Sequence, residues 1–446
     1  MTEGLGLALG FYNVGTIWAQ SEVDLSFSDI LARKIDSASR MSLNKVADMS
    51  TVALIRCENY EYENVSHAVE KGIDLLGGAE LFAKSGERIL FKPNWLAADH
   101  PEKMTTTHPM VFKAIVEVFK TTGAILSYGD SPAMQSPEHA SKMSGFTPIA
   151  EAEGVALADF RQGKEIVFNE GIQNKRFTIA NGALECDGIV SLPKLKTHGL
   201  ERMTGCVKNQ FGCVPGALKS EFHVKLASAI DFARMLVDLN SFLKPRLYVM
   251  DGIIAMEGNG PRGGKARPMK VLLFSSDPIA LDATVCRMID INPEFVATIR
   301  LGMKAETGTW KKDEIALVGD PFESFIDKQF DVRREPVQPY SPGKRSSFIR
   351  NAIVPKPFII AGECTRCGTC VKACPVTPKA VDWHDGDKEV PPSYKYESCI
   401  RCYCCQELCP ESAIELKVPF LRRLVSANLS TPSRLRLFRA RRSRNP

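Results

Sequence analysis

Cys364-Thr-Arg-Cys367-Gly-Thr-Cys370-Val-Lys-Ala-Cys374-Pro375 and Cys399-Ile-Arg-Cys402-Tyr-Cys-Cys405-Gln-Glu-Leu-Cys409-Pro410 are two copies of the pattern C-x2-C-x2-C-x3-C-P. This spacing is typical of thiolates that hold 4Fe-4S clusters. Three thiolates on a tight loop can reach three irons of one cubane, whereas the fourth, predicted at the start of a helix, points towards the other cluster. A single C-x2-C is also a common zinc spacing, but two complete runs closed by proline weigh against zinc or disulfides.

The spacing therefore predicts two 4Fe-4S clusters, each of which takes its fourth ligand from the other run. The first ligand set is Cys364, Cys367, Cys370 and Cys409, and the second is Cys399, Cys402, Cys405 and Cys374. Cys404 is left over, and we expect a small buried neighbour there because Cys405 already completes the spacing. Residues 361–418 closely resemble the two-cluster bacterial ferredoxin domain, which implies a small α+β fold.

The chain has 446 residues, enough for two or three domains and a large core. Nine of its 14 cysteines lie between Cys364 and Cys409. This distribution favours cluster ligation in a reducing compartment, hence a cytoplasmic protein, over a secreted disulfide framework. The sequence has no apolar run long enough to span a bilayer, and Glu3 rather than a basic residue precedes the apolar patch near the N-terminus, so we expect no secretory signal.

The basic charge is concentrated in the last 27 residues. Residues 420–446 hold eight arginines and no acidic residue, so the formal charge of +5 minus these eight leaves −3 for the remainder. We expect a solvated tail. Alternatively, Leu421, Leu424, Val425 and Leu429 form an apolar helical face for peripheral contact with anionic lipid or a partner. Nucleic-acid binding is not expected, because the tail lacks interleaved stacking aromatics and the body is not basic.

Residues 1–48 do not join the pattern that follows, and Met49 directly precedes the first strong strand. We interpret 1–48 as an N-terminal extension or as the product of an upstream start that is not the native one. From 49 to 330, apolar strands at 51–56, 88–91, 124–128, 188–192, 247–250 and 271–274 alternate with amphipathic helices. This alternation predicts an α/β domain with a mostly parallel sheet covered by helices. Residues 331–360 are proline-rich and predict a linker into the 361–418 domain, which the basic tail (419–446) follows.

Polar residues follow five of the predicted strands. Because ligands of open α/β sheets bind beyond the carboxyl ends of the strands, we expect these residues to meet at one edge. The segments are Lys92-Pro93-Asn94, Gly129-Asp130-Ser131-Pro132, Lys194-Leu195-Lys196-Thr197-His198, Asp251-Gly252 with 257–264, and Ser275-Ser276-Asp277-Pro278.

These residues predict a site for a small anionic substrate or a second cofactor, because lysine, arginine and glycine-rich backbone all bind anions. The predicted substrate-binding residues are Lys92, Asn94, Lys194, Lys196, Lys208, Asn209, Glu257 and Arg262. The predicted catalytic residues are His198, Asp130, Asp251 and Cys213. We favour His198 over His108 and His223 for proton transfer. The aspartates would handle protons or bind a divalent metal, and Cys213 would be a redox-active or substrate-contacting thiol.

Each segment also has an ordinary structural interpretation. Asp277 before Pro278 is a standard helix start, and Asp130 and Asp251 each adjoin a glycine as in simple turns. Cys213 lies among glycines, where small buried residues are common. The chain has neither the P-loop pattern nor the dinucleotide G-x-G-x2-G at a helix start. The joint occurrence at one predicted edge is what favours a site.

Taken together, these segments resemble the iron-sulfur proteins grouped as domain of unknown function 362. The matching residues are Lys92-Pro93-Asn94, Thr106-Thr107-His108-Pro109, Gly129 to Pro132, Leu192 to His198, Lys208-Asn209, Gly212 to Gly216, Asp251-Gly252, Met256 to Pro261 and Asp277-Pro278. The resemblance covers about 49–416, with the ferredoxin domain fused at the C-terminal end. It implies a fold but no reaction and no catalytic residues.

Two functions are compatible with the sequence. The first is an iron-sulfur oxidoreductase whose two 4Fe-4S clusters take electrons from a redox partner protein and relay them to the strand-end site. The alternative is a non-catalytic electron-transfer or metallo-enzyme maturation accessory protein. The sequence alone leaves open the substrate, the direction of electron flow, a second cofactor and the oligomeric state.

Overall fold

The computed structural model describes residues 49–216, 218–226, 228–337, 351 and 354–419. The predicted N-terminal extension, the arginine-rich tail and part of the predicted linker lie outside these residues. The α/β domain has strands β1 (Ser50–Arg56), β2 (Arg88–Lys92), β3 (Ile125–Tyr128), β4 (Ala156–Leu157), β5 (Gly163–Val167), β6 (Arg176–Ala180), β7 (Gly188–Ser191), β8 (Lys194–His198), β9 (Arg202–Thr204), β10 (Leu247–Glu257), β11 (Lys265–Ser275) and β12 (Ile315–Gly319). Its helices are α1 (Tyr62–Asp74), α2 (Pro109–Lys120), α3 (Pro137–Met143), α4 (Phe146–Glu153), α5 (Asn181–Leu184), α6 (Cys206–Asn209), α7 (Leu218–Lys225), α8 (Ala229–Leu243), α9 (Pro278–Met288) and α10 (Ala297–Lys304).

Within the described residues, ten strands form one sheet. The main path runs β12-β1-β11-β10-β7-β2-β3-β4, while β8 pairs with β10 and β9 pairs with β8. Along the main path all neighbours are parallel except β11, which is antiparallel to both β1 and β10. The predicted α/β fold with a mostly parallel sheet is therefore confirmed.

Helices cover both faces of this sheet, because its central strands are apolar on both sides. Ile89 and Phe91 of β2 pack with α1, α2 and α4 on one face, whereas Leu90 packs with α8, α9 and α10 on the other. The strand geometry, which points successive side chains to opposite faces, explains this alternation. A continuous apolar run is thus what a strand between two helical layers requires.

The reversed direction of β11 corrects one prediction about the site. Because β11 is antiparallel to β10, the segment after Phe274 lies at the opposite edge of the sheet from the ends of β2, β3 and β7. Asp277 there is the N-cap of α9, and its Oδ1 accepts hydrogen bonds from the backbone N–H groups of Ile279 and Ala280. The helix-start interpretation of Asp277 is confirmed, and four predicted segments, not five, lie towards the same edge.

Two element boundaries also differ from the prediction. Strand β10 does not end at Met250 but continues to Glu257, with a register shift between Gly252 and Ile254. The glycine-rich segment 258–264 is consequently the loop between β10 and β11. The apolar periodicity after His223 predicts one long helix, but the structure has two helices there, α7 and α8, and Ser228 caps α8 by accepting the N–H of Ile230.

The small C-terminal domain contains helices α11 (Thr369–Ala373) and α12 (Cys404–Glu407) and strands β13 (Lys356–Ile359), β14 (Val381–Asp382), β15 (Ser393–Tyr394) and β16 (Ile414–Lys417). Antiparallel pairs form between β13 and β16 and between β14 and β15. Residues 356–359, which we predicted as linker, are therefore a strand of this domain. Here we call this part of the chain, 354–419, the ferredoxin-like module.

Candidate functional site

Each predicted set of four cysteines surrounds its own cavity in the ferredoxin-like module. Cys364, Cys367, Cys370 and Cys409 line a cavity of about 330 Å³, which we call the outer site. Cys374, Cys399, Cys402 and Cys405 line a second cavity of about 320 Å³, which we call the inner site. Four thiols around a small, otherwise apolar cavity are the donor set that a 4Fe-4S cluster requires, so the residues fit the cofactor.

The two cysteine runs share one backbone conformation, which explains how both wrap a cavity. Arg366 and Arg401, two residues after the first cysteine of each run, have positive φ angles of 57° and 63°. Gly368 and Tyr403, directly after the second cysteine, have φ angles of 72° and 65°. Left-handed residues turn the chain tightly and thereby direct successive thiols inward.

The position of the fourth cysteine differs from the prediction. Cys370 and Cys405, the third cysteines, lie within α11 and α12, whereas Cys374 and Cys409 follow the ends of these helices. The helices thus separate the third and fourth cysteines and carry the fourth to the other cavity. We expected the fourth cysteine at the start of a helix, and this was wrong. The predicted exchange, in which each run places its fourth cysteine with the other set, agrees with the two cavities.

A large cleft lies between the strand edge of the α/β domain and the ferredoxin-like module. It has a volume of about 560 Å³, and residues of both parts of the chain line it. From the α/β domain it is lined by Asn94, Trp95, Asp130, Lys208, Asn209, Phe211, Lys219 and His223, among others. From the module it is lined by Lys372, Cys374, Pro375, Lys379, Cys404, Glu407 and Leu408. One inner-site cysteine, Cys374, is therefore part of the cleft wall.

Behind this wall runs a network of buried polar groups. Lys196 donates to Oδ1 of Asn94 at 2.6 Å, and Nδ2 of Asn94 donates to Oδ1 of Asn209 at 3.0 Å. Nδ2 of Asn209 donates to the carbonyl of Lys92 at 3.2 Å, and Nζ of Lys92 lies 2.9 Å from Asp130. These bonds fix the orientation of the two asparagine amides in the cleft wall.

Four predicted site residues belong to this network but differ in their access to the cleft. Asn94, Asp130 and Asn209 line it, whereas Lys92 is fully buried beneath. The carboxylate of Asp130 also accepts the backbone N–H groups of Trp95 and Ser131. Through these contacts and its ion pair with Lys92, Asp130 holds the backbone of the cleft wall in place. Lys92 lies beneath the wall and does not contact an anion in the cleft directly.

Lys194 and Asp251, which we predicted in the site, form a separate buried cluster. Nζ of Lys194 lies 2.8 Å from Asp251 and donates to the hydroxyl of Tyr60 at 2.6 Å. Asp251 also accepts the backbone N–H of His108, whose ring stacks on Tyr60 at 3.7 Å. Burial lowers the pKa of Lys194 and lowers that of His108 to about 4. These residues do not line the cleft, so their predicted substrate contacts are corrected to structural ones.

Lys196 is likewise buried and does not line the cleft. Its Nζ donates to Asn94 and to the carbonyl of Thr105, both at 2.6 Å. Burial, together with the charge of Lys208, lowers its pKa to about 7. It acts on the cleft through Asn94 and does not contact an anion directly.

His198, Glu257 and Arg262 hold parts of the fold together. Nε2 of His198 lies 3.0 Å from Glu407 of α12. Arg262 binds Asp99 at 2.6 Å and donates to the carbonyl of Leu408 at 2.8 Å. Glu257 accepts the backbone N–H of Asp331 at 2.9 Å. None of the three lines the cleft, so the structure corrects their predicted roles in catalysis or substrate binding.

Cys213 is also removed from the cleft. Its side chain is fully buried in the main core, and burial raises the pKa of its thiol to about 12. A protonated, inaccessible thiol is a poor nucleophile. The small-buried-residue interpretation is therefore the one that the structure supports.

Four contributors to the cleft were missed or ranked too low. Lys219 lies three residues beyond Gly216 and donates to the carbonyl of Ser131; burial lowers its pKa to about 7. His223 was ranked behind His198, yet it is the histidine in the cleft wall. Trp95 and Phe211 supply apolar wall. The signal for Lys219 and His223 was their place on α7, directly after the matched Gly212 to Gly216 segment.

The described residues contain no group of three or more histidine, cysteine or acidic side chains arranged around a single metal ion. Asp130 and Asp251 belong to separate networks, so the predicted divalent-metal role of the aspartates finds no converging ligands. Within the same residues, no helix combines the length and apolar character needed to cross a bilayer.

Comparisons with known proteins agree with the two parts of the chain. The model of the family described as domain of unknown function (DUF362) matches residues 89–287, and that of the 4Fe-4S dicluster domain matches residues 356–410. A curated relative, a thylakoid-associated protein of Synechocystis sp., is 33% identical over 260 residues, which cover 57% of this chain and 80% of that protein.

Two solved structures show partial similarity. The lactate racemase apoprotein from Thermoanaerobacterium thermosaccharolyticum is 14% identical with a TM-score of 0.35, over 56% of this chain and 57% of that chain. A crystal structure of a protein from Thermotoga maritima is 11% identical with a TM-score of 0.33, over 56% and 60%. The chain spans less than two thirds of the length of both, and similarity at this level carries no functional inference.

Proposed function

Because the chain belongs to the family of domain of unknown function 362 and carries a 4Fe-4S dicluster domain, we propose that it is an iron-sulfur oxidoreductase that delivers electrons to a small anionic substrate in the cleft. The dicluster domain accounts for an electron-transfer role. The proposal adds that two clusters are bound and that their electrons pass to the cleft. A 4Fe-4S cluster, when bound, supplies one-electron transfer.

One observation carries this proposal. Cys374 belongs to the inner site and at the same time lines the cleft that Lys208, Lys219, Asn94 and Asn209 also line. A redox site that exchanged electrons only with partners in solution would not require a polar cleft beside it. The shared wall gives an electron a short path from the inner site to a molecule in the cleft.

The charges of the cleft favour an anion. Among the described residues, the cleft is lined by two acidic residues, Asp130 and Glu407, and by four lysines, Lys208, Lys219, Lys372 and Lys379. Asp130 is paired with the buried Lys92, so the lysines exceed the one remaining carboxylate, that of Glu407. An excess of lysine ammonium groups attracts carboxylate or phosphate groups.

The remaining wall can orient such an anion. The amide of Asn94 is fixed by Lys196 and Asn209, so its unused hydrogen-bonding capacity faces a defined direction, whereas the amide of Asn209 is fully engaged and serves as support. Trp95 and Phe211 exclude water beside them. A wall of this kind, apolar with a few fixed polar groups, is typical of small-molecule sites.

The cleft also contains groups that can hold a proton. The ring of His223 stacks on Phe232 at 4.6 Å and is mostly buried. Lys219, with a pKa of about 7, changes protonation state in the neutral range. Proton transfer from Lys219 would accompany electron delivery to an anion, as general acid catalysis requires, whereas burial lowers the pKa of His223 to about 4 and keeps its ring neutral.

Anion binding to the anaerobically purified, cluster-loaded chain tests this proposal. We expect malonate and inorganic phosphate to bind by isothermal titration calorimetry and to shift the reduction potential of one cluster. Lys208→Ala combined with Lys219→Ala should abolish both effects, whereas Lys164→Ala, an exposed lysine outside the cleft, should leave them unchanged. Mass spectrometry of small molecules that co-purify with the chain would identify the natural ligand class.

A chain that binds no anion, or whose binding survives the double substitution, would contradict the proposal. In that case the alternative gains weight, namely an accessory protein that hands electrons to another enzyme through the same module.

A further inference from the structure

We infer that the two cluster sites are ordered: an external one-electron carrier protein exchanges electrons with the outer site, and the cleft exchanges electrons with the inner site. This inference rests on the proposed function for the cleft as the place where electrons are exchanged, and it adds the order of the two sites. It also names a surface, the one around Cys367, as the docking site for the carrier.

The first argument is the difference in exposure between the two sites. In the outer site Cys367 is exposed and Cys364 is half-buried, and the neighbouring lining residues Thr365 and Arg366 are exposed as well. In the inner site all four cysteines are buried, and no lining residue is exposed. A protein that must approach closely for electron transfer can therefore reach the outer site but not the inner one.

The second argument is the packing of the inner site against the α/β domain. Helix α12, which carries Cys405, supplies Gln406, whose side-chain N–H group donates to the carbonyls of Asn259 and Gly260. The next residue, Glu407, pairs with His198. These contacts hold α12, and with it Cys405 of the inner site, against the α/β domain. On the outer-site side the segment after α12 contacts that domain, through the bond from Asn259 to the carbonyl of Ile414, and the loop of Cys364 and Cys367 remains accessible.

The third argument is the composition of the cleft wall. Cys374 and its neighbour Pro375 line the cleft, whereas none of the four outer-site cysteines does. An electron that reaches the cleft from the module therefore leaves from the inner site. Because Cys374 follows α11, which carries Cys370 of the outer site, one short helix connects the two sites.

The electron balance of the relay is simple. A reduced carrier protein loses one electron and the outer site gains it; the outer site then loses it to the inner site, and the inner site loses it to the acceptor in the cleft. No bond forms or breaks in the module. Two carrier encounters supply the electrons for a two-electron reduction.

Electron paramagnetic resonance of the full, cluster-loaded chain tests the exposure difference without any substrate. A soluble dysprosium chelate should strongly enhance the relaxation of the outer-site signal and leave the inner-site signal nearly unchanged. Cys367→Ser and Cys402→Ser assign the signals, because each should change the g-values of one cluster; Cys364→Ser and Cys399→Ser replace them if assembly fails. Equal enhancement of both signals, or a stronger effect on the inner one, would overturn the inference.

A rate measurement tests the docking surface. The probe is a purified bacterial two-cluster ferredoxin in its reduced form, mixed with the oxidised chain in a stopped-flow instrument. Arg366→Glu, beside the outer site, should change the reduction rate by at least about fivefold, because rim charges act mainly on association. Lys164→Glu makes the same charge change at an exposed residue that lines neither cluster site nor the cleft, and it should alter the rate by less than about twofold.

Lys372→Glu places that charge change at the cleft. If Lys372→Glu has the largest effect, or if all three variants behave alike, the inference is wrong. Neither experiment involves an anion, so a cleft that binds no anion would refute the proposed function and leave the order of the two sites standing.

Discussion

Nε2 of His198 lies 3.0 Å from Oε1 of Glu407, and both side chains are buried where the α/β domain meets the ferredoxin-like module. Nδ1 of His198 accepts the backbone N–H groups of Leu200 and Glu201, so Nε2 carries the proton and lies beside the carboxylate of Glu407. Burial lowers the pKa of His198 to about 4, which keeps the ring neutral at physiological pH.

Substitution of His198 should therefore destabilise the contact between the α/β domain and the ferredoxin-like module. His198→Ala leaves the carboxylate of Glu407 buried without its partner, and we expect a loss of about 2–3 kcal/mol in the free energy of unfolding. Anaerobic urea unfolding of the cluster-loaded chain measures it. The control is His384→Ala, since His384 pairs with Asp385 on the surface; its effect should stay within about 0.5 kcal/mol. Equal losses for the two variants would contradict a special role for His198.

Anion binding should weaken as the pH rises through 7. Burial lowers the pKa of Lys219 to about 7, so the free cleft loses this positive charge between pH 6 and pH 8.5. The affinity for malonate should fall by about tenfold over that range, because only the protonated lysine attracts the carboxylates. Calorimetry at several pH values measures the change.

Lys219→Arg provides the matched test, because arginine stays charged throughout this range. The variant should bind malonate with little dependence on pH. An unchanged pH dependence in the arginine variant would assign the effect to another group.

Gly212 should tolerate no side chain, because of its position beside the buried ion pair. A Cβ atom there would lie 1.8 Å from Oδ1 of Asp130 and 2.6 Å from Nζ of Lys92. Gly212→Ala must therefore separate the pair, and breaking a buried ion pair costs about 3–5 kcal/mol. Gly362→Ala, with no atom within 4 Å of its Cβ, should cost less than about 1 kcal/mol. Thermal unfolding of both variants distinguishes these values, and a stable Gly212→Ala would show that the pair can move.

The sequence was most informative where the chemistry is local. The cysteine spacing predicted the two sets of four cysteines that line the two cavities, because such a loop is built from consecutive residues and left-handed turns. The apolar strands were also predicted correctly, since a strand between two helical layers must be apolar on both faces. Only their ends were wrong, as for β10, which continues past Asp251 as a hairpin arm.

The site was less predictable because burial and direction are properties of the whole fold. Lys194 and Lys208 look alike in the sequence, but the first is paired with Asp251 in the interior and the second lines the cleft. The antiparallel direction of β11 moved Asp277 to the far edge, and no local pattern reveals strand direction. One wall of the cleft belongs to the ferredoxin-like module, so the predicted strand ends of the α/β domain could not indicate the residues of that wall.

The basic tail offers a prediction that needs only its sequence. Eight arginines without an acidic residue should bind anionic vesicles, since each basic residue near such a surface contributes about 1 kcal/mol. Deletion of residues 420–446 should abolish co-sedimentation with phosphatidylserine-containing vesicles, and neutral vesicles serve as the control. Unchanged sedimentation after the deletion would rule out peripheral lipid contact through this tail.

Cys404 is the ninth cysteine of the module, and its substitution tests whether it is a cluster ligand or only a neighbour of the ligands. Cys404 lies beside Cys402 and Cys405 and lines the cleft, but it lines neither cluster cavity. Cys404→Ala should therefore retain about eight irons per chain, as two cubanes require, whereas Cys402→Ala should retain about four if the outer cluster persists alone. Iron and sulfide analysis after anaerobic purification measures both. If Cys404→Ala loses as much iron as Cys402→Ala, Cys404 is a ligand and the inner site uses a different set of thiols from the one that the spacing indicates.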